Sequence, residues 1–344
     1  MIVNGYEMDF SKQNFSVILY GAPGLGKTTL ALSDGKLGED TLLIDLERGV
    51  GRTKAEHRYM AKVLTATNYD EVLADLKTPE ALAAKTIVID TCGALVEYLK
   101  SWAMDHYSDA RTKNGTFNNM KGFGYVKSEI ERFTNSIKNE MHKNIVYIFH
   151  SDEKADKDGN PIQRLRCEGS FRNTVWTGID FGAYIQMLGN KRYACFSPDQ
   201  EYFAKGCHGI EGNIEIPNLN AEGAVNDFLA KLFDKARANM AAENTVITGM
   251  KGEYEAVMAK VKEIIAGVKD AETATAAATS IPAMEHKLTS KAEASAMLQA
   301  KTKELGLKWD KVLKAYYSET PAEAPTAAPA AEPKAKGKAK KEAK

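Results

Sequence analysis

The fold of this chain is decided by the stretch Gly21-Ala-Pro-Gly-Leu-Gly-Lys-Thr28. It fits the pattern GxxxxGK(S/T) at every fixed position. Glycines at positions 21, 24 and 26 permit tight turns and leave backbone N–H groups open to a polyanion. The β-rich run FSVILY precedes the loop, and TTLALS begins a helical pattern after it. This order of strand, loop and helix is the context that a phosphate-binding loop requires.

The residues of this loop have separate chemical roles in holding a triphosphate. Lys27 places a positive charge on the β- and γ-phosphates, and Thr28 offers a hydroxyl to Mg²⁺, which prefers oxygen ligands. The following helix points the positive end of its dipole at the anion. We therefore predict that the chain binds ATP with Mg²⁺. The expected nucleotide contacts are Gly21, Ala22, Pro23, Gly24, Leu25, Gly26, Lys27, Thr28 and Thr29.

Over the first 215 or so residues, β-rich runs alternate with helical patterns, which predicts an α/β domain around a mostly parallel sheet. Several runs are continuously apolar, as expected for central strands covered on both faces. The predicted strands are Ser16–Tyr20, Thr41–Asp45, Thr86–Asp90, Ile145–His150, Ala183–Met187 and Tyr193–Phe196. The predicted helices are Lys27–Ser33, Tyr69–Leu76, Ala94–His106 and Tyr125–Lys143.

The composition changes near residue 220, where Ala, Lys, Glu and Met become frequent and strand patterns almost disappear. Helices are predicted over Ala221–Asn239, Tyr254–Val268, Met284–Leu305 and Lys308–Tyr317. Beyond them, residues 318–344 are rich in Pro, Ala and Lys and have too little apolar surface to form a core. We therefore expect a nucleotide-binding domain over 1–220, a helical accessory region over 221–317 and a disordered basic tail.

The overall composition is that of a soluble globular protein, with 44% hydrophobic and 27% charged residues. The formal net charge is zero, but the last eleven residues, KAKGKAKKEAK, hold six lysines and one glutamate, so the remainder sums to −5. A basic surface for nucleic acid must therefore be a local patch or the tail. We expect a cytoplasmic protein without a membrane span, because no apolar run approaches about 20 residues and the four cysteines are scattered.

Three predicted strands end in polar residues at the edge of the sheet where open α/β folds bind ligands. Asp90 closes the strand KTIVID and is expected to reach Mg²⁺ together with Thr28, although it also suits the N-cap of the next helix. Glu47 follows the strand TLLID and is expected to polarise the attacking water, with Asp45 as its competitor. His150 closes the strand NIVYIFH and is placed to sense the γ-phosphate, unless backbone groups satisfy it.

The order of these motifs resembles the RecA-like ATPases over roughly residues 15 to 215. It is most similar to the compact ATP-binding proteins of phages and prophages, including the single-strand annealing proteins of the Sak group. The resemblance places Glu47 on the catalytic glutamate, Asp90 on the magnesium-associated aspartate and His150 on a glutamine that couples the γ-phosphate to DNA. It implies a homo-oligomer, as a ring or filament, and a single-strand-binding or replication protein as partner. A phage-encoded protein would act in the cytoplasm of its bacterial host.

The resemblance also implies two DNA-binding loops, which correspond to residues 111–123 and 152–177. Basic side chains lie beside aromatic rings in both, a combination that suits single strands. The expected DNA contacts are Arg111, Lys113, Phe117, Lys121, Phe123, Arg164, Arg166 and Arg172. Two ordinary surface loops remain the alternative, and the acidic residues at 152–158 argue against a uniform DNA surface. Lys205, in the step Ala204-Lys205 after a strand, is the candidate to reach the nucleotide of a neighbouring subunit.

The sequence therefore predicts an ATPase that acts on single-stranded DNA in phage-type recombination or replication, by annealing or strand handling. The alternative is a nucleotide-switched assembly or loading module with little turnover, whose helical region binds a protein. A small-molecule kinase is disfavoured because no lid segment with clustered arginines is present.

Overall fold

A computed structural model describes residues 4–35, 38–168 and 171–318. Except for Ser318, the predicted tail lies outside the described residues. The chain divides into two compact units between Thr245 and Val246. No helix of the described ranges is long and apolar enough to cross a membrane.

The first unit is built on one mixed sheet, which contains nine strands among the described residues. They are β1 Ser16–Gly21, β2 Thr41–Asp45, β3 Lys62–Leu64, β4 Thr86–Asp90, β5 Asn144–Ala155, β6 Pro161–Leu165, β7 Phe181–Leu188, β8 Lys191–Cys195 and β9 Asn213–Ile216. The order is β3-β2-β4-β5-β1-β7-β8-β9, and β6 pairs with β5 alone. The segment from β3 to β7 is parallel, whereas β6, β8 and β9 pair antiparallel. The predicted α/β class with a mostly parallel sheet is confirmed.

Helices cover both faces of this sheet. They are α1 Lys27–Ala31, α2 Ala55–Arg58, α3 Tyr69–Asp75, α4 Pro79–Ala83, α5 Cys92–His106, α6 Asn119–Asn135, α7 Phe171–Thr174 and the start of α8 Phe228–Ala266. Short turns of 3₁₀-helix lie at Gly5–Glu7, Val50–Arg52 and Ser108–Ala110, and a π-helical turn at Ser136–Glu140. Alternate residues of β1 enter two different cores, Ile18 and Tyr20 one, Val17 and Leu19 the other. This two-sided burial explains why the strand is continuously apolar.

Helix α8 replaces the two helices predicted over Ala221–Asn239 and Tyr254–Val268. It continues through Gly249 and Gly252, although each glycine costs a helix about 1 kcal/mol relative to alanine. Its first turns pack Leu229 and Phe233 into a core of the sheet. The unit that holds the sheet therefore extends past residue 220, to Thr245.

The second unit contains the rest of α8, then α9 Ala271–Ser280, a 3₁₀ turn at Ile281–Ala283, α10 Ser290–Glu304 and a hairpin of β10 Leu307–Asp310 and β11 Ala315–Ser318. Residues Val261, Val268, Ala274 and Leu298 belong to its core. The helical region predicted after the ATPase core is present.

The helix predicted over Lys308–Tyr317 is wrong, because these residues form the hairpin β10–β11. Gly306 ends α10 with a left-handed φ of 64°. The Asp310 carboxylate then accepts hydrogen bonds from the N–H groups of Val312 and Leu313, which closes a turn. Across the hairpin, the rings of Trp309 and Tyr316 lie 4.9 Å apart between centroids. The local turn chemistry of the aspartate therefore overrides the helical pattern.

Candidate nucleotide site

The sheet register brings the predicted polar strand ends to one edge. Gly21 pairs with His150 across β1 and β5, and Asp45 pairs with Asp90 across β2 and β4. Parallel strands end on the same side, so the residues that follow them converge. A cavity of about 190 Å³ lies at this edge. Its lining includes Lys27, Thr28, Glu47, Asp90 and His150.

The loop of residues 21–28 has the backbone that its glycines predict. Gly24 and Gly26 adopt φ values of 81° and 76°, a region that other residues rarely enter. At Gly21 an added Cβ would lie 2.4 Å from the carbonyl oxygen of Ile185 on β7. The loop is therefore fixed by conformation and by close backbone packing.

Lys27 is buried at the base of this loop. Its Nζ donates hydrogen bonds to the carbonyl oxygens of Gly21 and Ala22, at 3.0 and 2.8 Å. Burial lowers the pKa of Lys27 to about 8, and the carboxylates of Asp90 and Glu47 partly oppose that shift. The cation is held close to the phosphate-binding backbone.

Thr28 and Asp90 contact each other directly. The Thr28 hydroxyl donates to Asp90 Oδ2 at 2.6 Å. Burial raises the pKa of Asp90, and the nearby carboxylates of Asp45 and Glu47 raise it further. A buried carboxylate that is destabilised in this way gains from a bound cation.

A hydroxyl and a carboxylate oxygen side by side fit a small, hard cation such as Mg²⁺. Among the described residues, no group of three His, Cys, Asp or Glu side chains is arranged as a metal centre. This donor set therefore fits an ion that takes most of its ligands from phosphates and water, as Mg²⁺ does in nucleotide sites.

Glu47 lies between Thr91, which follows β4, and His150, which lies within β5. Its Oε1 accepts a 2.6 Å hydrogen bond from the Thr91 hydroxyl, and its Oε2 lies 3.5 Å from His150 Nε2. Asp45, the competing candidate for the base, is 1% exposed and accepts hydrogen bonds from the N–H groups of Gly49 and Val50, both at 2.8 Å. Asp45 therefore shapes the loop that carries Glu47, while Glu47 faces the cavity.

Three further residues at this site, Arg192, Arg52 and Thr53, do not belong to any recognisable sequence motif. Arg192 on β8 donates through Nη1 to the Leu25 carbonyl at 3.1 Å, and through Nη2 to that of Pro217 at 3.3 Å. Arg52 and Thr53 line the cavity beside the loop. Only the fold brings these side chains to the P-loop, so no local pattern would have found them.

The first predicted DNA segment, residues 111–123, forms a hydrogen-bonded turn rather than an irregular loop. The Arg111 side chain forms an ion pair with Asp105, and its backbone forms a β-bridge with Phe117. The Lys121 ammonium lies 3.5 Å from the Asp109 carboxylate. The Phe117 and Phe123 rings pack edge to face, 5.2 Å apart, against the core. Lys113 is exposed. The structure therefore gives the two rings a packing role.

The second predicted DNA segment is also mostly regular structure. Strand β5 continues to Ala155 and pairs with β6, so residues 151–165 form a hairpin. The Arg164 guanidinium lies 3.9 Å from the centre of the Phe203 ring, and Arg172 Nη2 donates to the Cys167 carbonyl at 2.8 Å. Arg166 and Arg172 line a second cavity of about 1010 Å³.

Lys205 lies away from the P-loop of its own chain. Its backbone pairs with Gly182 near the start of β7, and its Nζ donates to the Ile179 carbonyl at 2.5 Å. The P-loop follows the opposite end of the neighbouring strand β1. Lys205 therefore does not line the nucleotide cavity of its own chain.

Comparison with known proteins gives a matching family model and solved structures that match this chain. A family model described as an AAA domain matches residues 13–208. No curated protein matches the chain. A KaiC-like protein from the hyperthermophilic archaeon Pyrococcus horikoshii is 16% identical, with a TM-score of 0.34, and the match covers 60% of this chain and 90% of that one.

Proposed function

Since this chain belongs to the AAA domain family, we propose that it is a RecA-like ATPase that hydrolyses ATP with Mg²⁺ and acts on single-stranded DNA. The family and the P-loop core make it a P-loop ATPase. The hydrolytic residues and the DNA are our proposal.

The position of Glu47 carries the hydrolytic half of this proposal. Its carboxylate lines the same cavity as Lys27 and Thr28, and Thr91 and His150 hold it from two sides. A carboxylate that is fixed near the phosphate-binding loop suits the task of orienting a water molecule for attack. Lys27 would bind the β- and γ-phosphates, and Thr28 and Asp90 would hold Mg²⁺. The metal would neutralise charge on the phosphates.

Phosphate release from ATP tests this half in two variants. Lys27→Ala is expected to abolish turnover, because it removes the charge that holds the phosphates. Glu47→Gln is expected to retain ATP binding and to lose hydrolysis, because the amide does not accept a proton. Turnover that persists in Glu47→Gln would remove Glu47 as the base.

The larger cavity supports the DNA half of the proposal. It shares Glu47 and His150 with the nucleotide cavity, and Lys154, Arg166 and Arg172 line its other side. A polyanion bound there would lie next to Glu47 and His150, the two residues that we propose to face the γ-phosphate. Besides Glu47, three carboxylates on its wall are paired, Asp152 with Lys154 at 2.8 Å and both Glu97 and Glu168 with Lys100.

Turnover with and without a single-stranded oligonucleotide tests the DNA half. We expect stimulation, and Arg166→Ala should reduce it while basal turnover persists. Lys12→Ala, an exposed lysine that does not line this cavity, is the matched control and should behave like the unmodified protein. DNA-independent turnover, with no retention of DNA at low salt, would contradict this half alone.

We extend the proposal to a Sak-type role in phage recombination or replication and to a ring or filament in which Lys205 reaches a neighbouring nucleotide. Lys205→Ala would then lower turnover only in the oligomer, and mixing it with Lys27→Ala subunits would restore part of the activity. Failure of such mixtures to recover activity would argue against a trans role.

A further inference from the structure

We propose that Arg48 is a further catalytic residue of this ATPase, whose guanidinium closes onto the γ-phosphate of ATP bound in the same chain. This role rests on the proposed function, because it adds a cation to the site in which Glu47 activates water. Arg48 follows Glu47 directly in the chain, and Glu47 lines both the nucleotide cavity and the larger cavity beside it.

Arg48 is one of a few arginines whose side chains are not engaged within the protein. The chain has ten arginines, all among the described residues. Seven of them use the guanidinium in a hydrogen bond, an ion pair or a ring contact. The other three, Arg48, Arg52 and Arg166, have no such partner in the part of the chain that the structure describes. Arg52 and Arg166 line the two cavities that share Glu47, so the unengaged guanidiniums are gathered around the proposed base.

Of these three arginines, Arg48 is the one placed to reach the phosphate that Glu47 faces. Arg52 lines the nucleotide cavity beside Thr53, and Arg166 lines the larger cavity. The Cα atoms of Glu47 and Arg48 are about 3.8 Å apart, as in any trans-linked pair. Since the Glu47 carboxylate reaches the nucleotide cavity from that point, the longer Arg48 side chain reaches the mouth of the cavity. Arg48 is exposed and lines neither cavity, so a rotation of its side chain brings it to the phosphate.

The backbone at Arg48 is held in a conformation that arginine rarely adopts. Its φ is 54°, in the left-handed region that favours glycine. Just before it, the Leu46 N–H donates to the Asp90 carbonyl at 2.8 Å. Just after it, the buried Asp45 carboxylate accepts hydrogen bonds from two backbone N–H groups, both at 2.8 Å. Strained residues persist where the surrounding structure fixes them, and they gather at functional sites. Arg48 therefore combines a fixed backbone with a free side chain.

The chemistry of hydrolysis calls for a cation next to Glu47. The oxygen of water bonds to the γ-phosphorus as the bond to the β,γ-bridging oxygen breaks, Glu47 takes up the proton of water, and ADP and phosphate result. Negative charge builds up on the phosphoryl oxygens in a cavity that already holds the carboxylates of Glu47 and Asp90. A guanidinium stays protonated throughout and presents a fork of N–H donors to phosphate oxygens. Arg48 would thus offset this charge without taking part in the proton transfer.

Steady-state ATP turnover by Arg48→Gly tests this role. Glycine accepts a φ of 54° without strain, so the variant should unfold at the same or a higher urea concentration than the unmodified protein. Its kcat should fall by about 10³-fold, while Kd for ATP changes by less than about threefold, because the contact strengthens in the transition state. Millimolar guanidinium ions, far below the concentrations that unfold proteins, should restore part of kcat, and sodium ions at the same concentration should not.

Lys314→Gly is the matched control. Lys314 is also an exposed cation with a left-handed φ, of 52°, and it lies in the turn between β10 and β11 of the second unit. Its replacement should leave kcat unchanged, with or without guanidinium ions. Arg48→Lys keeps the positive charge and loses the planar fork, so its kcat should lie between those of Arg48→Gly and the unmodified protein.

Three results would overturn the assignment of Arg48. They are a kcat of Arg48→Gly within about threefold of the unmodified protein, a rise in Kd for ATP that accounts for the whole loss of activity, and recovery of turnover when Arg48→Gly is mixed with Lys27→Ala subunits. The last result would place the contact in a neighbouring subunit. Absence of turnover in the unmodified protein would contradict the proposed function itself, whereas normal turnover in Arg48→Gly would contradict this role alone.

Discussion

The hydroxyl of Thr91 donates a 2.6 Å hydrogen bond to Glu47 Oε1, across two strands that are adjacent in the sheet but 44 residues apart in the chain. Thr91 is also the N-cap of α5, where its hydroxyl oxygen accepts from the Ala94 N–H at 3.4 Å. One side chain therefore starts a helix and orients the proposed base.

Replacing this hydroxyl tests whether Thr91 has both roles. Thr91→Val removes both hydrogen bonds and should lower stability by about 1 kcal/mol, the usual value of a cap. It should also lower kcat by about fivefold, because a hydrogen bond is worth about 1 kcal/mol. Thr91→Ser should restore both quantities, measured by urea unfolding and by phosphate release. A valine variant with lower stability and unchanged kcat would show that Thr91 serves only as a cap.

Asp90→Asn should raise the Mg²⁺ concentration that supports half-maximal turnover, because the amide keeps the shape of the side chain and loses its charge. Asp34→Asn is the control, since Asp34 is another partly buried carboxyl group, bonded to the Thr86 hydroxyl and outside the cavity. It should change stability and leave the Mg²⁺ dependence unaltered. An unchanged Mg²⁺ requirement in Asp90→Asn would contradict the proposed metal role.

The lowered pKa of Lys27 predicts a pH-dependent affinity for ATP. Below its pKa of about 8 the side chain is charged and the affinity is at its maximum. Above that pKa, binding must take up a proton, so Kd should rise by up to about tenfold per pH unit. The arginine in Lys27→Arg stays charged throughout this range. Its Kd for ATP should therefore not change with pH, even if the affinity itself differs from that of the unmodified protein. Isothermal titration calorimetry between about pH 7 and pH 9.5 measures Kd for both proteins. A Kd of the unmodified protein that does not change with pH would refute the prediction.

Arg192→Ala should raise KM for ATP by about tenfold with little change in kcat, because hydrogen bonds from a charged group to the P-loop backbone are worth about 1.5–3 kcal/mol. The neighbouring Lys191 pairs with Glu215 at the surface, at 2.8 Å, and Lys191→Ala should change KM by less than about twofold. Steady-state kinetics distinguish the two variants. Equal changes in KM in the two variants would indicate that the hydrogen bonds of Arg192 make no specific contribution and that β8 supports the site only through its backbone.

The predictable parts of this site are local in sequence. The P-loop, Asp90 and Glu47 each follow an apolar strand directly, so short patterns place them at one edge of the sheet. Thr91 as a partner of Glu47 and Arg192 as a partner of Leu25 depend on contacts between distant segments, which no short pattern encodes. The hairpin β10–β11 escaped prediction because the hydrogen bonds of one aspartate outweigh the helical propensity of its neighbours.

Strand β5 runs without a break from the edge of the nucleotide cavity into its pairing with β6. At His150 it still pairs with β1, and at Ser151 it begins to pair with β6, without a break in the strand. The five residues beyond His150 extend about 16 Å from the sheet. The two-stranded ribbon of β5 and β6 is therefore anchored beside the nucleotide cavity and carries Asp152 and Lys154 to the wall of the larger cavity. A single strand thus contributes residues to both cavities.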